Sequence, residues 1–211
     1  MPKVGAIILA GGGSRRMGRD KAWIDIHGET MLQRVARTLA TRCDPLVISA
    51  APGQELPALG SLGAAWIRVD DPQLDAGPLV GIAAALECAL KWGVDLAYLG
   101  SCDAAGLSTA HVTHMIDELR RRPEASALVP EDREGRRHPF AAALRCAPMS
   151  ARAQALIERG EGRLQSLFRG PDVHPVPVSS LPDPRVLAPC NTPAQLCELL
   201  DRLDLDEGLL P

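Results

Sequence analysis

Leu9-Ala-Gly-Gly-Gly-Ser-Arg-Arg-Met-Gly-Arg-Asp-Lys21 packs three consecutive glycines and four cations into one stretch directly after a short aliphatic run. Val4 to Leu9 is β-branched and aliphatic enough to be a buried strand. The glycines therefore fall where a strand of an α/β sheet ends and its loop begins, the edge at which such sheets take ligands. Successive backbone N–H groups converge on one anion only where no Cβ obstructs the approach and positive φ is allowed. Gly11, Gly12 and Gly13 meet that condition. Arg16, Arg19 and Lys21 add positive charge at the rim, a concentration that suits a triphosphate. The stretch reads as a phosphate cradle. A flexible turn with solvated arginines is the plainer alternative, and the density of cations beside a strand end argues against it.

Two common nucleotide fingerprints do not fit. The P-loop requires Lys and then Ser or Thr directly after its last glycine, whereas Gly13 is followed by Ser14 and Gly18 by Arg19-Asp20-Lys21. The dinucleotide pattern fails because Arg16 stands at the third glycine position counted from Gly11 and Gly13.

At 211 residues, 46% of them hydrophobic, and with a net charge of −3, the chain suits a single globular domain with a full core. We read that domain as residues 1–203, followed by a frayed tail over 204–211. The charge balance gives no bulk attraction to nucleic acid or to a membrane surface. No apolar run reaches membrane-spanning length and Met1-Pro-Lys3 lacks a signal-peptide layout, so a cytoplasmic protein is expected. The six cysteines form no C-x-x-C pair and read as reduced, mostly buried apolar residues. Lysine is scarce, at positions 3, 21 and 91 only, so its presence at the end of the glycine stretch carries some information.

Strand-like and helix-like stretches alternate along the chain. Strands are predicted over Val4–Ala10, Pro45–Ala50, Ala65–Val69, Val94–Gly100, Ala125–Pro130, Phe140–Arg145 and Val173–Val178. Helices are predicted over Thr30–Thr41, Leu79–Trp92, Ser108–Arg122, Met149–Glu161 and Pro193–Leu203. This is the pattern of an α/β fold, a Rossmann-like three-layer α/β/α arrangement on a mostly parallel twisted sheet. The charged stretch Glu131–Arg137 reads as an exposed excursion between strands. Its Arg133, Arg136 and Arg137, with His138, are either a basic surface for a phosphate or a solvated tip balanced by Glu131, Asp132 and Glu134. His111 and His114 read as surface residues, and Trp23, Trp66 and Trp92 as packing groups.

The opening motif, continued by Ala22-Trp-Ile-Asp-Ile-His-Gly-Glu-Thr-Met-Leu-Gln-Arg-Val35, resembles the start of the molybdenum cofactor guanylyltransferase (MobA) family of nucleotidyltransferases. That family has the pattern LAGGxSxRMGxDK followed by a short hairpin and helix. Asp70 ahead of Gly77-Pro-Leu-Val-Gly81, Cys102-Asp103 at a strand end, His138-Pro139, and Asn191-Thr-Pro193 before the last helix are similar to its later landmarks. The likeness spans about residues 4 to 200, and the first motif is the specific one. It implies a fold of the nucleotide-diphospho-sugar transferase type. It also implies transfer of GMP from Mg-GTP to the phosphate of molybdopterin, forming molybdopterin guanine dinucleotide and pyrophosphate. Mg²⁺ would be the cofactor and GTP the co-substrate, with other molybdenum cofactor maturation proteins as candidate partners.

Roles follow from the matching positions. Backbone groups of Leu9, Ala10, Gly11, Gly12 and Gly13, with Ser14, would hold the nucleotide, while Arg16 and Lys21 embrace its phosphates, Lys21 nearest the α-phosphate. Asp103 is the metal-ligand candidate, since a hard carboxylate suits Mg²⁺ carried by a triphosphate. Its alternative is a helix cap, for which Ser108 is better placed. Asn191 is a second oxygen ligand or simply the start of a helix at Asn-Thr-Pro. Asp70 either binds ribose or base or belongs to the Asp70-Asp71-Pro72 turn. Gly77, Pro78 and Leu79 either face the nucleotide or only open a helix. Three departures from the family pattern stand out. Ser101-Cys-Asp-Ala-Ala-Gly106 lacks the usual proline after the aspartate. Ser49-Ala-Ala51 lacks an asparagine that meets the base, and Pro189-Cys190 stands where another asparagine is common. Two other readings remain: a related nucleotidyltransferase using CTP or a sugar or alcohol phosphate, and a non-catalytic nucleotide-binding scaffold in cofactor maturation.

Overall fold

The structure, a computed structural model, describes residues 1–11, 20–72, 77–188 and 190–207. In chain order the strands are β1 (Val4–Leu9), β2 (Asp25–Ile26), β3 (Glu29–Thr30), β4 (Leu46–Ala50), β5 (Trp66–Asp70), β6 (Leu96–Ser101), β7 (Ala127–Glu131), β8 (Ala142–Arg145) and β9 (Val173–Pro177). The helices are α1 (Met31–Ala40), α2 (Pro78–Lys91), α3 (Thr109–Arg120), α4 (Cys146–Glu158), α5 (Leu164–Leu167) and α6 (Pro193–Glu207). Seven strands form one sheet in the order β5-β4-β1-β6-β8-β7-β9. Its pairings are parallel apart from those of β8, which runs antiparallel to both β6 and β7.

The two faces of the sheet are covered by different helices, as the strand alternation dictates. Ile8, Leu46, Ile48 and Tyr98 point to the side where α1 and α3 contribute Leu32, Val35, Leu39, Val112, Met115 and Leu119. Ile7, Val47, Ala97 and Leu99 point to the other, against Ile82 and Leu86 of α2 and Met149 of α4. α1 starts on a capping box: Thr30 accepts from the Gln33 amide while Gln33 accepts from the Thr30 amide. A third, smaller cluster (Ile24, Ile26, Met31, Cys190 and Leu199) joins the β2–β3 hairpin to α6.

From β1 the chain first builds outward to β4 and β5, then crosses back to place β6 on the other side of β1. The reversal sits between β1 and β6, and in open α/β sheets ligands bind beyond the carboxyl ends of the strands at such a point. The register aligns Leu9 with Ser101, so the residues after each strand emerge side by side.

The elements lie close to those expected, with instructive differences. β8 begins at Ala142 rather than Phe140, because Pro139–Ala141 is wound as a 3₁₀ turn. α4 begins at Cys146, three residues earlier than expected, with Pro148 accommodated in its first turn where no intrahelical donor is lost. α6 continues to Glu207, past the expected end at Leu203; residues 208–211 lie outside the described residues. α5 has no counterpart among the expected helices.

His111 is corrected: it is fully buried, not a surface residue. It shares the core face of α3 with Met115 and Leu119, stands edge-on to Tyr98 at 5.9 Å, and places Nε2 3.4 Å from the Ala141 carbonyl oxygen. Desolvation pushes its pKa down to about 4. The tryptophans are corrected in the opposite sense. Trp23, Trp66 and Trp92 are 46%, 43% and 48% exposed. Trp66 lies on the edge strand and Trp92 caps the end of α2, places where a large ring finds cover on one side only. Trp23 spends its indole N–H on the Glu55 carbonyl at 2.9 Å. No cysteine is paired, and Cys43, Cys102, Cys146 and Cys190 are buried.

Candidate active site

A cavity of about 680 Å³ opens beyond the carboxyl ends of β1 and β6. Leu9, Ala10 and Gly11 line it from β1, and Ser101, Cys102 and Asp103 from β6. Gly11 is glycine for a local reason: a Cβ there would lie 3.0 Å from the Ala51 nitrogen, against the end of β4. Gly12, Gly13, Ser14 and Arg16, expected to contribute, lie outside the described residues.

Lys21 and Asp103, 82 residues apart, meet across this cavity. The Lys21 ammonium stands 2.9 Å from Asp103 Oδ2 and also donates to Asn191 Oδ1. The Lys21 and Asp103 side chains are 17% and 24% exposed, so the pair is largely withdrawn from water but reachable from the cavity. Each partner is held by its own segment. Asp20 Oδ1 accepts from the Ala22 amide at 2.9 Å and so caps the 3₁₀ turn Lys21–Trp23. Ser101 Oγ donates to Asp103 Oδ1 at 2.5 Å. The Asn191 amide donates to Gln195 Oε1 at 2.8 Å, fixing it at the foot of α6. The segment after Asp103 has no proline, and two turns do that work: Ala104 N–H donates to Ser101 O at 3.1 Å and Leu107 N–H to Ala104 O at 2.9 Å. Ser108 caps α3 by accepting from the His111 amide, which leaves the Asp103 carboxylate to the cavity.

The oxygens of Asp103 and Asn191 already converge on one cation, the Lys21 ammonium. Both are hard donors of the kind Mg²⁺ takes. Among the described residues no group of three or more His, Cys, Asp or Glu side chains is gathered for a metal. Two protein oxygens, those of Asp103 and Asn191, are on hand at this point of the cavity for such an ion.

The other candidates fall elsewhere on the same edge. Asp70, at the end of β5, is exposed and pairs with Arg68 at 2.7 Å rather than lining the cavity. The inward carboxylate is that of the next residue: Asp71 Oδ2 packs against Gly81 of α2. Gly77 takes φ +88° and sits against the Gly162 carbonyl, Pro78 is the first residue of α2, and the Leu79 side chain is buried in the core. None of these lines the cavity around Lys21.

The opposite wall is formed by Arg136, Arg137, His138, Pro139, Phe140 and Ala141, with Val186–Ala188 beyond them. Arg137 pairs with Glu131 at 2.8 Å and also donates to the Phe168 carbonyl. Arg136 pairs with Asp132 at 2.9 Å, and His138 Nε2 lies 3.5 Å from the same carboxylate. Arg133 does not reach the cavity.

Sequence reasoning missed Ser101 as the partner of Asp103, and it missed Gln54. The Gln54 side chain reaches the end of β1 and Asp20 from the loop after β4. Ser101 was readable, as a hydroxyl two residues before a candidate ligand; Gln54 carried no local signal.

Residues 6–176 match the MobA-like NTP transferase domain family. The chain is 34% identical over 196 residues to the probable molybdenum cofactor guanylyltransferase of Mycobacterium avium (strain 104), covering 92% of this chain and 93% of that one. In fold it is similar to the molybdopterin-guanine dinucleotide biosynthesis protein A of Archaeoglobus fulgidus, with a TM-score of 0.73 and 18% identity over 96% and 99% of the two chains. It is also similar to the 2-C-methyl-D-erythritol 4-phosphate cytidylyltransferase of Thermus thermophilus, with a TM-score of 0.66 and 16% identity over 94% and 98%.

Proposed function

The chain belongs to the MobA-like nucleotidyltransferase family, and from that premise we propose that it transfers GMP from Mg-GTP to the phosphate of molybdopterin, releasing pyrophosphate. The observation that carries the reading is the convergence of Lys21, Asp103 and Asn191 at the reversal point of the sheet, in the cavity that Gly11 lines just past β1. A curated relative named as a probable molybdenum cofactor guanylyltransferase over nearly the full chain supports the choice of nucleotide and acceptor.

The chemistry asks little of a protein base. A phosphomonoester acceptor has a second pKa of about 6 and is already largely ionised near neutrality. What remains is to bring two polyanions together, align attacker and leaving pyrophosphate, and offset charge around the α-phosphorus. Lys21 would turn from Asp103 and Asn191 to the phosphates, and those two oxygens would hold Mg²⁺. The ion, when bound, supplies Lewis-acid neutralisation of the triphosphate. The ends of β1 and β5 are two strand spacings apart, roughly 10 Å, the span of a nucleoside. We therefore place ribose and base toward Asp70 and the Gly77-Pro78-Leu79 helix start, with phosphates toward Lys21. The cavity on the other side of β1, with its apolar Pro139, Phe140, Val186 and Leu187, would receive the acceptor.

The test is pyrophosphate release with purified molybdopterin across a panel of nucleoside triphosphates with Mg²⁺. GTP is expected to be preferred. Preference for CTP would remove the guanine assignment, and GTP binding without pyrophosphate release would make the protein a carrier rather than a catalyst.

A further inference from the structure

Between β4 and β5 the chain makes a tight turn, Ala51-Pro52-Gly53-Gln54. Pro52 and Gly53 (φ +73°) occupy the central positions that a type II turn asks for, and the Gln54 amide donates to the Ala51 carbonyl at 3.0 Å. The Gln54 side chain then does three things at once. Its Oε1 accepts from the Ala51 amide at 2.9 Å, while its Nε2 donates to the Ala10 carbonyl at 3.2 Å and to Asp20 Oδ2 at 2.7 Å. Only one orientation of the carboxamide satisfies a donor on one side and two acceptors on the other, so the assignment of oxygen and nitrogen is fixed by its neighbours. Both amide hydrogens are spent, which makes Gln54 unsuited to reading a nucleotide base.

Its two acceptors belong to Ala10, the residue directly after β1, and Asp20, the residue that precedes Lys21. Asp20 uses its other oxygen to cap the turn carrying Lys21. The turn bearing Gln54 is itself braced from the edge strand: Arg68 donates to the carbonyls of Gln54 at 2.6 Å and Ala51 at 3.2 Å while pairing with Asp70. We infer that Gln54 and Asp20 are positioning residues, a relay that sets the Lys21 ammonium against Asp103 and Asn191 by tying its turn to the end of β1. The catalytic significance of this relay rests on the functional reading above; its geometry does not. Asp70 pairs with Arg68 at the far end of the same network of bonds.

Two measurements decide it. The chain has only three lysines, so amine acetylation followed by mass spectrometry reads Lys21 against Lys91, which is 71% exposed and serves as the internal standard. In the unmodified sequence Lys21 is expected to react much more slowly than Lys91. Gln54→Ala is expected to raise the Lys21 to Lys91 ratio roughly fivefold through a local opening of the turn that carries Lys21. Gln54→Glu separates the relay from a merely structural role. It keeps the acceptor that the Ala51 amide needs, yet sets a second carboxylate against Asp20 and the Ala10 carbonyl. It should open Lys21 at least as far as Gln54→Ala does. A ratio unchanged in both variants, or restored by Gln54→Glu, overturns the inference.

The second measurement is a double-mutant cycle on pyrophosphate release. Gln54→Ala is expected to lower kcat about 10- to 100-fold, the range that a misplacement of about 1 Å can cost, and to add nothing on a Lys21→Ala background. Equal losses on both backgrounds would show that Gln54 does not act through Lys21. Should no nucleotide support release in the unmodified protein, the functional reading fails, and the acetylation ratio still decides the relay.

Discussion

The two walls of the cavity hold their cations in opposite ways. On the β1–β6 wall, Lys21 finds partners 82 and 170 residues away, so the cluster exists only because the sheet brings three distant segments together. On the facing wall, Arg136 and Arg137 pair with carboxylates four and six residues away, within their own loop. A loop can neutralise itself at little cost, whereas a long-range cluster of one cation and two oxygens has to be maintained by the fold. Under the proposed function the first arrangement would exchange partners with an incoming triphosphate and its ion. The second is already satisfied.

If that contrast is functional, the largest loss comes from Asp103→Ala. Among the described residues it removes the only carboxylate lining the cavity, and Lys21 keeps its bond to Asn191. We expect pyrophosphate release to fall about a thousandfold, roughly 4 kcal/mol of barrier. Lys21→Ala should follow, at about a hundredfold or ~3 kcal/mol. Steady-state rates with Mg-GTP and acceptor measure both. Turnover within a few-fold of the unmodified enzyme in either variant would mean that the long-range cluster only stabilises the fold.

Behind the facing wall, His111 shows a third way of holding a polar group: buried, uncharged and leaning on a wall carbonyl. Its pKa of about 4 in the folded chain lies below the 6.5 of an exposed histidine, chiefly through desolvation. Between those values the unfolded chain binds more protons, so stability rises with pH across the window. The contribution is complete above pH 6.5 and is lost as pH falls toward 4, by no more than about 3 kcal/mol. His111→Gln should flatten that part of the stability profile, measured by urea unfolding from about pH 4 to 7. A slope identical to that of the unmodified protein would assign the acid sensitivity to carboxylates instead.

What was legible follows the same division between local and long-range. The strand and helix runs, the capping serine of α3 and the glycine at position 11 just past β1 are local, and their residues announce them. Lys21 and Asp103 were legible as separate motifs, one at the end of the glycine stretch and the other just past a strand-like run, and parallel pairing of β1 with β6 puts the two strand ends side by side. Gln54 was not, because its partners Ala10 and Asp20 are a backbone carbonyl and a capping side chain that a linear sequence does not link to a turn after β4. His111 could have been placed from its helical face, since Met115 and Leu119 follow it at four-residue steps. That spacing outweighs the polarity of imidazole. The tryptophans err the other way: hydrophobicity suggests cover, while an edge strand and a helix end supply half of it.

The smallest effect, and the sharpest test of the comparison, belongs to Arg136→Ala. The hairpin tip does not depend on this guanidinium, because Asp132 Oδ1 accepts from the backbone amides of Glu134 at 3.1 Å and Arg136 at 2.9 Å, and Gly135 N–H donates to the Asp132 carbonyl at 3.0 Å. Those bonds survive the substitution, His138 remains beside the same carboxylate, and the lost side chain is 69% exposed. An exposed pair of this kind contributes little, so melting temperature should not move and the KM for acceptor should stay within roughly twofold. A tenfold rise in acceptor KM that fades as salt is added would show the opposite: that Asp132 releases Arg136 to a phosphate arriving from the cavity. The facing wall would then be a second site that exchanges partners, and the separation of partners along the chain would no longer distinguish a binding wall from a solvated loop.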